Sequence, residues 1–353
     1  MALVVLTVMA PACRPGTEPR PGQTPTDTTP FTPSPPARGL TVGIVLAPPT
    51  ELIASLQSDI VRSTAERLHD VIDHDVRAVR VLEPPQEDFR GDQLAFLADE
   101  GFTLVCTVGQ AGADDVARLA PQYPATRFCL LDGRLADPPA NAMSVSWRVE
   151  EGAFLAGAAG ALVTSVGATG IVSAVPPGSA DRVRIGFEAG ARFIRSDIPV
   201  VMAPATVDQD VAMSVAVRTA REAATAQFDA GVPTPCLMPV GGTAVVRGVG
   251  EAAAASDGLV LGWAVDVTRL LDEDTGVAHV LGSVTKRFDT ALALVVESAF
   301  EGGDRDIRLG FAEDGFAFVP GPSPSYGPIA AQLREVADAI EERRVIVPGR
   351  EQR

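Results

Sequence analysis

Residues 103–132 read TLVCTVGQAGADDVARLAPQYPATRFCLLD. TLVCTV (103–108) is a short apolar run with the length and β-branched content of a buried strand. ADDVARLA (113–120) spaces its apolar residues as a helix does, and RFCLL (127–131) is a second apolar run that stops at Asp132. Strand, helix and strand in succession form a right-handed βαβ unit. Its two strands run parallel in a sheet covered on both faces.

The same alternation extends in both directions. Upstream, TVGIVLA (41–47) is a strand bounded by Pro48 and Pro49. Residues 51–71 then carry Leu52, Leu56, Ile60, Ala65 and Leu68 at helical spacing, with Ile72 just beyond. Residues 76–82 form a strand and 91–100 a helix. Downstream the pattern restarts with the small-residue helix EEGAFLAGAAGALVTS (150–165). Strands are expected at 169–174, 199–203, 236–239, 258–265 and 278–283. Helices are expected at 180–194, 211–230, 243–255 and from about Lys286 to Phe300. The fold class is α/β, with two successive open parallel sheets of about 110 residues each, a usual domain size.

Ligands of such sheets bind beyond the carboxyl ends of the strands. The polar or flexible residues at those ends are Asp132, Gly241, Gly242, Asp266, Ser283 and Lys286. Taken singly, each has a plain structural reading: an Asp ending a strand serves as a turn residue or helix cap, and Gly-Gly as a turn. Taken together, at equivalent strand ends, they outline a site between two lobes. Lys286 stands out further, because it is the only lysine among 29 cationic side chains. An ammonium is a compact donor on a flexible stem, whereas a guanidinium is a broad fork suited to carboxylates and phosphates.

The formal net charge of -16 argues against nucleic acid as a partner, since phosphate contacts need a basic face. Cys13, Cys106, Cys129 and Cys236 show no metal spacing with one another or with His69, His74 and His279, so no metal or cofactor is expected. Cys106 and Cys129 lie inside strand runs, as buried small hydrophobes do. Residues 2–10 form an apolar run too short to span a bilayer, with the length of a signal-peptide core. Pro11-Ala12-Cys13 follows and resembles a bacterial lipoprotein cleavage site. It departs from that pattern in having no Lys or Arg ahead of the run and Ala10 where Leu is usual. The expected layout is a signal peptide over 1–13, with Cys13 the lipidated residue, then a Pro/Thr-rich tether over 14–39.

The ordered stretches FTLVCTVG (102–109), YPATRFCLLD (123–132), VEEGAFLAGAAGALVT (149–164), RIGFEAGARF (184–193), LGWAVDV (261–267), LGSVTKRFDTAL (281–292) and IVP (346–348) resemble the basic membrane protein family of bacterial lipoproteins over roughly 41–348. These are substrate-binding proteins of ABC transporters, including a purine nucleoside receptor. The resemblance implies a type 1 periplasmic-binding-protein fold: lobe 1 from 40–146 plus about 266–300, and lobe 2 from 147–265 plus about 301–348. It also implies a nucleoside-like ligand, an ABC permease as partner, a lipid anchor in the cell membrane, an extracytoplasmic location, a monomer and no enzymatic activity. Asp266 and Lys286 would hold the ribose hydroxyls, Asp132 would accept from ligand polar groups, and Gly241 and Gly242 would let backbone approach.

One segment departs from the family pattern. An Asp and a Ser-Phe-Asn run usually follow the first strand, and this chain has APPTELIASLQSDIV (47–61), without the aromatic or the asparagine. Gln57 and Ser58 are the polar residues nearest that position. Trp147 and Trp263, the two tryptophans, each have two readings: a replacement stacking face, or a core or hinge position. The departure keeps an alternative function open, a surface lipoprotein on the same fold without a transport role and with a different ligand or a protein partner.

Overall fold

The computed structural model describes residues 39–47, 52–67, 76–165, 167–175, 180–206, 211–230, 235–301 and 305–349. The expected signal segment with Cys13 and nearly all of the tether lie outside them, as does the side chain of Gln57. The chain opens with β1 (Leu40–Val45), α1 (Leu52–Glu66), β2 (Val76–Leu82), α2 (Arg90–Asp99), β3 (Leu104–Val108), α3 (Ala113–Leu119), β4 (Arg127–Leu131) and β5 (Ala142–Trp147). It continues with α4 (Val149–Val163), β6 (Thr169–Ser173), α5 (Asp181–Ile194), β7 (Val200–Pro204), α6 (Met213–Phe228), β8 (Cys236–Val240), α7 (Thr243–Ser256), β9 (Leu259–Ala264) and β10 (Val280–Lys286). The last elements are α8 (Phe288–Glu301), β11 (Asp306–Leu309), β12 (Phe316–Pro320) and α9 (Tyr326–Glu341).

Among the described residues the strands form two six-stranded sheets, ordered β2-β1-β3-β4-β5-β11 and β7-β6-β8-β9-β10-β12. The two orders correspond strand for strand. All pairings in the first sheet are parallel, and in the second only β10 with β12 is antiparallel. The strands of βαβ units must be apolar on both faces, and β3, β6 and β8 are buried along their whole length. The architecture is the expected α/β arrangement of two Rossmann-like lobes.

Three strands were not legible as such. β5 interrupts its apolar pattern with Ser144 and Ser146, and β11 is only DIRL, yet both extend the first sheet. β12 closes the second. β10 runs on to Lys286, so Lys286 sits at a strand end and the following helix starts at Phe288, not at Lys286.

The lobe boundaries also need correction. Residues 280–286 were expected in lobe 1, but β10 pairs with β9 and β12 in the second sheet. Residues 306–309 were expected in lobe 2, but β11 pairs with β5 in the first. The physical reason is a triple crossover. The chain passes to the second lobe after β5, returns after β10 so that α8 packs on α1 and β4, and crosses again between β11 and β12. Sequence order hides such crossings, because each joins elements that look like ordinary neighbours.

The second lobe is tightened by small residues. A Cβ on Gly157 of α4 would stand 1.9 Å from the Phe187 carbonyl oxygen of α5, and one on Gly190 would stand 1.8 Å from that of Phe154. Only glycine lets the two helix backbones approach this closely.

Candidate functional site

The carboxyl ends of the central strands share a backbone signature in the two lobes. Gly109 after β3 and Gly241 after β8 have φ of 90° and 147°, and Asp132 after β4 and Ala264 at the end of β9 have φ of 56° and 66°. Positive φ is uncommon outside glycine, and strained turns of this kind gather at ligand sites. Asp tolerates the left-handed region better than Ala. These turns lie where both sheets present the open ends of their strands.

The turn that carries Asp132 is clamped from β3. The Gly109 N–H donates to the Leu131 carbonyl at 2.7 Å. The Gln110 side chain both accepts from the Arg134 N–H (2.8 Å) and donates to the Arg134 carbonyl (3.0 Å). Gln110 and Gly109 were missed as positioning residues. Their only sequence signal is that they directly follow a strand.

Lys286 reaches across from the end of β10 in the second sheet. Its Nζ donates to both Asp132 carboxylate oxygens at 2.7 Å, and the two side chains are 9% and 18% exposed. The ammonium also lies 5.4 Å from the centroid of the Trp147 ring, a distance at which a cation is attracted to the ring face. The pair therefore spans the two lobes. Ion pairs this little exposed depend on good geometry to offset the cost of desolvation.

Trp147 is 3% exposed. Its Nε1 donates to the Gly315 carbonyl at 2.7 Å, and its ring packs 4.8 Å from Phe288. The ring lies in the buried core cluster, beside the segments that cross between the lobes. The same Gly315 carbonyl accepts from the Arg287 N–H at 2.9 Å. Arg148, which follows Trp147, donates its backbone N–H to the Leu309 carbonyl and pairs through its guanidinium with Glu313. The three crossing segments are thus sewn to one another beside Lys286. Trp263, by contrast, is partly exposed and stacks on Phe316, which in turn stacks on Phe311.

The remaining predicted residues form a second group. Asp266 Oδ1 accepts from the Thr268 N–H (3.1 Å) and hydroxyl (2.7 Å), capping a short turn. Ser283, fully buried on β10, accepts from the Val267 N–H at 3.1 Å and so holds that same turn against the sheet. Lys286 is thus paired with Asp132, while Asp266 is engaged by Thr268. Gly241 and Gly242 join β8 to α7. A Cβ on Gly241 would meet Ala174 Cβ and Val245 Cγ2 at 2.9 Å, and the Gly242 carbonyl accepts the Val245 N–H of the first turn of α7. On α1, Ser58 is 2% exposed, and its Oγ has no hydrogen-bond partner among the described residues.

A mixed site of this kind offers a carboxylate, an ammonium and strained backbone turns from facing lobes. It can grip a small polyhydroxylated molecule, the carboxylate accepting from hydroxyls and the ammonium donating to them. Among the described residues no group of three or more His, Cys, Asp or Glu side chains is placed to hold a metal ion. No helix there is long and apolar enough to cross a membrane.

Comparison with known proteins agrees with this architecture. The basic membrane protein A of Borreliella burgdorferi is 26% identical over 262 residues, covering 72% of this chain and 73% of that protein. Among solved structures, an ABC transporter solute-binding protein from Conexibacter woesei superposes with a TM-score of 0.69 at 18% identity, covering 88% of this chain and 98% of that one. A protein from Bacillus halodurans described as a transcriptional activator of the comK gene gives 0.68 at 18% identity, covering 87% and 99%. Likeness at that identity speaks for the fold alone, the two-lobed type 1 fold of periplasmic solute-binding proteins. The family model for PnrA-like ABC transporter substrate-binding proteins matches residues 71–351, and the chain belongs to that family.

Proposed function

We propose that this chain is the extracytoplasmic receptor of an ABC importer, closing its two lobes on a nucleoside, a purine nucleoside first, and delivering it to the permease. The single observation that carries the ligand class is the Asp132–Lys286 pair, an acceptor and a donor presented together from opposite lobes. A vicinal diol matches it: one hydroxyl donates to the carboxylate while its neighbour accepts from the ammonium. Charge-assisted bonds of this kind contribute roughly 1.5–3 kcal/mol each. A few of them, with apolar cover for the base, reach the roughly -8 kcal/mol of a micromolar complex after the cost of association.

Asp266 sits on the turn pinned by Ser283, with Oδ2 outside its bonds to Thr268, and completes the hydroxyl-binding side. Trp147 supports Lys286 from beneath. Gly241 and Gly242 admit the ligand to the backbone end of β8. The protein acts as a monomer tethered through lipidated Cys13 and carries out no chemical step on its ligand.

A second reading rests on the altered segment 47–61, which lacks the family's aromatic and asparagine. In it the same cleft serves a different ligand or a protein partner, with no transport role.

A thermal-shift titration separates the two readings. Adenosine, guanosine, inosine, cytidine, uridine and ribose are tested against the wild type and Lys286→Ala. A ligand that binds only the folded state stabilises it as RT ln(1 + [L]/Kd). The first reading expects a shift with a purine nucleoside that Lys286→Ala loses. No shift with any nucleoside at millimolar concentration would sink it and leave the second.

A further inference from the structure

We propose that Cys106 and Cys129 form a disulfide that staples β3 to β4 beneath the ligand-binding turns. The two residues are direct partners in the parallel ladder of these strands, on the same rung. Both are fully buried, and both face the core cluster that contains Leu104, Val108 and Leu131. Neighbouring strands stand about 4.8 Å apart, inside the roughly 4.4–6.8 Å of Cα separation that disulfides bridge. Side chains on one rung of a parallel pair project to the same side, so the two Sγ atoms approach with little backbone movement. In the structure both are buried thiols.

The chemistry sets when the bond forms. Burial first, and the neighbouring Cys106 thiol second, hold the Cys129 thiol well above its ordinary range. A thiol that does not ionise does not attack a disulfide, so the native sheet resists oxidation. The bond therefore closes during folding, before α1 and α8 cover this face. The oxidant is an external disulfide, either a protein carrier or a small-molecule disulfide. Both S–H bonds are lost and one Sγ–Sγ bond forms. The two protons and two electrons leave with the oxidant, which departs as two thiols. Cys236 has no such neighbour on its rungs, since Thr169 and Leu259 flank it, and burial pushes its thiol up to about 12.

The staple has a consequence for the site. β3 ends in Gly109 and Gln110 and β4 ends in Asp132, so a cross-link between them fixes the clamp that presents the Asp132 carboxylate. Ligand binding does not require this covalent link.

The full-length chain, reduced and unfolded, is refolded in a mixture of reduced and oxidised glutathione, quenched with acid, then unfolded in denaturant at neutral pH in the presence of excess N-ethylmaleimide and without reductant. The expected result is a peptide map with Cys106 and Cys129 joined and unlabelled and Cys236 labelled. The refolded sample melts at a higher temperature than the same sample refolded with excess reductant. Labelling of Cys106 and Cys129 to the same extent as Cys236 in protein that has regained its folded circular dichroism overturns the proposal. So does a linked pair that melts below the reduced protein. Neither outcome depends on whether a nucleoside binds.

Discussion

The two lobes repeat one strand order but spend it on different chemistry. In both sheets the third and fourth strands end in positive φ, at Gly109 and Asp132 in the first lobe and at Gly241 and Ala264 in the second. The first lobe fills its fourth-strand turn with a carboxylate. The second fills the matching turn with a methyl group and places its charge on the next strand, at Lys286. Each half site is incomplete alone. The charges meet beside the crossing segments, where β12 pairs with β10 and Trp147 and Arg287 both donate to the Gly315 carbonyl. Duplicated topology thus gives a shared backbone frame, and divergence at equivalent positions gives a site with a donor on one side and an acceptor on the other.

That asymmetry can be broken from either side. The largest effect is expected at the bridging pair. Lys286→Ala removes the ammonium that donates to both Asp132 oxygens and lowers stability by up to about 3–5 kcal/mol, the cost of breaking a well-buried pair. Chemical denaturation measures this, and a loss within experimental error would show that the pair is not a structural bridge. Next comes a change confined to the second lobe. Gly157→Ala drives a methyl into the Phe187 carbonyl and lowers stability by about 1–3 kcal/mol through overpacking, while nucleoside affinity per folded molecule stays the same. An unchanged melting temperature would remove close helix packing from the account.

Smaller still is Trp147→Phe, which deletes the Nε1 bond to Gly315 at a cost of about 1 kcal/mol and weakens the ligand complex more than a surface substitution of equal stability cost. The sharpest comparison sets the smallest change, Ala264→Gly, against loss of the bridging carboxylate in Asp132→Gly. Asp132→Gly and Ala264→Gly both relieve a left-handed backbone. Ala264→Gly is expected to hold stability within about 1 kcal/mol and to keep binding, whereas Asp132→Gly loses it. If both lose binding alike, the frame matters and the carboxylate does not.

Much of this was legible in the residues. β1, β3, β4, β8 and β9 are mostly apolar runs with the length of strands, so local pattern and burial agree. The solitary lysine and the aspartate that ends RFCLL marked two true members of the bridging pair. The partner assignment was not legible. Asp132 and Lys286 lie 154 positions apart, and only the crossover decides that Lys286 meets Asp132 while Thr268 takes Asp266. The missed strands fail for another reason. β5 alternates serine into its run although it is almost wholly buried, and β11, the edge strand, carries Asp306 and Arg308 at positions that are only partly covered. Trp147 illustrates the same limit: its residue type allowed a stacking face or a core or hinge position, and its bond to the Gly315 carbonyl, 168 positions away, could not be read from the residue type.

The most direct test of the central claim is calorimetric titration of the wild-type chain with inosine and with 2′-deoxyinosine. The two share a base and differ by one hydroxyl of the diol that Asp132 and Lys286 are proposed to grip. The account predicts that inosine binds and that the deoxy compound binds at least about tenfold more weakly, a difference of about 1.4 kcal/mol. Equal affinities, or no inosine binding at millimolar concentration, would contradict it.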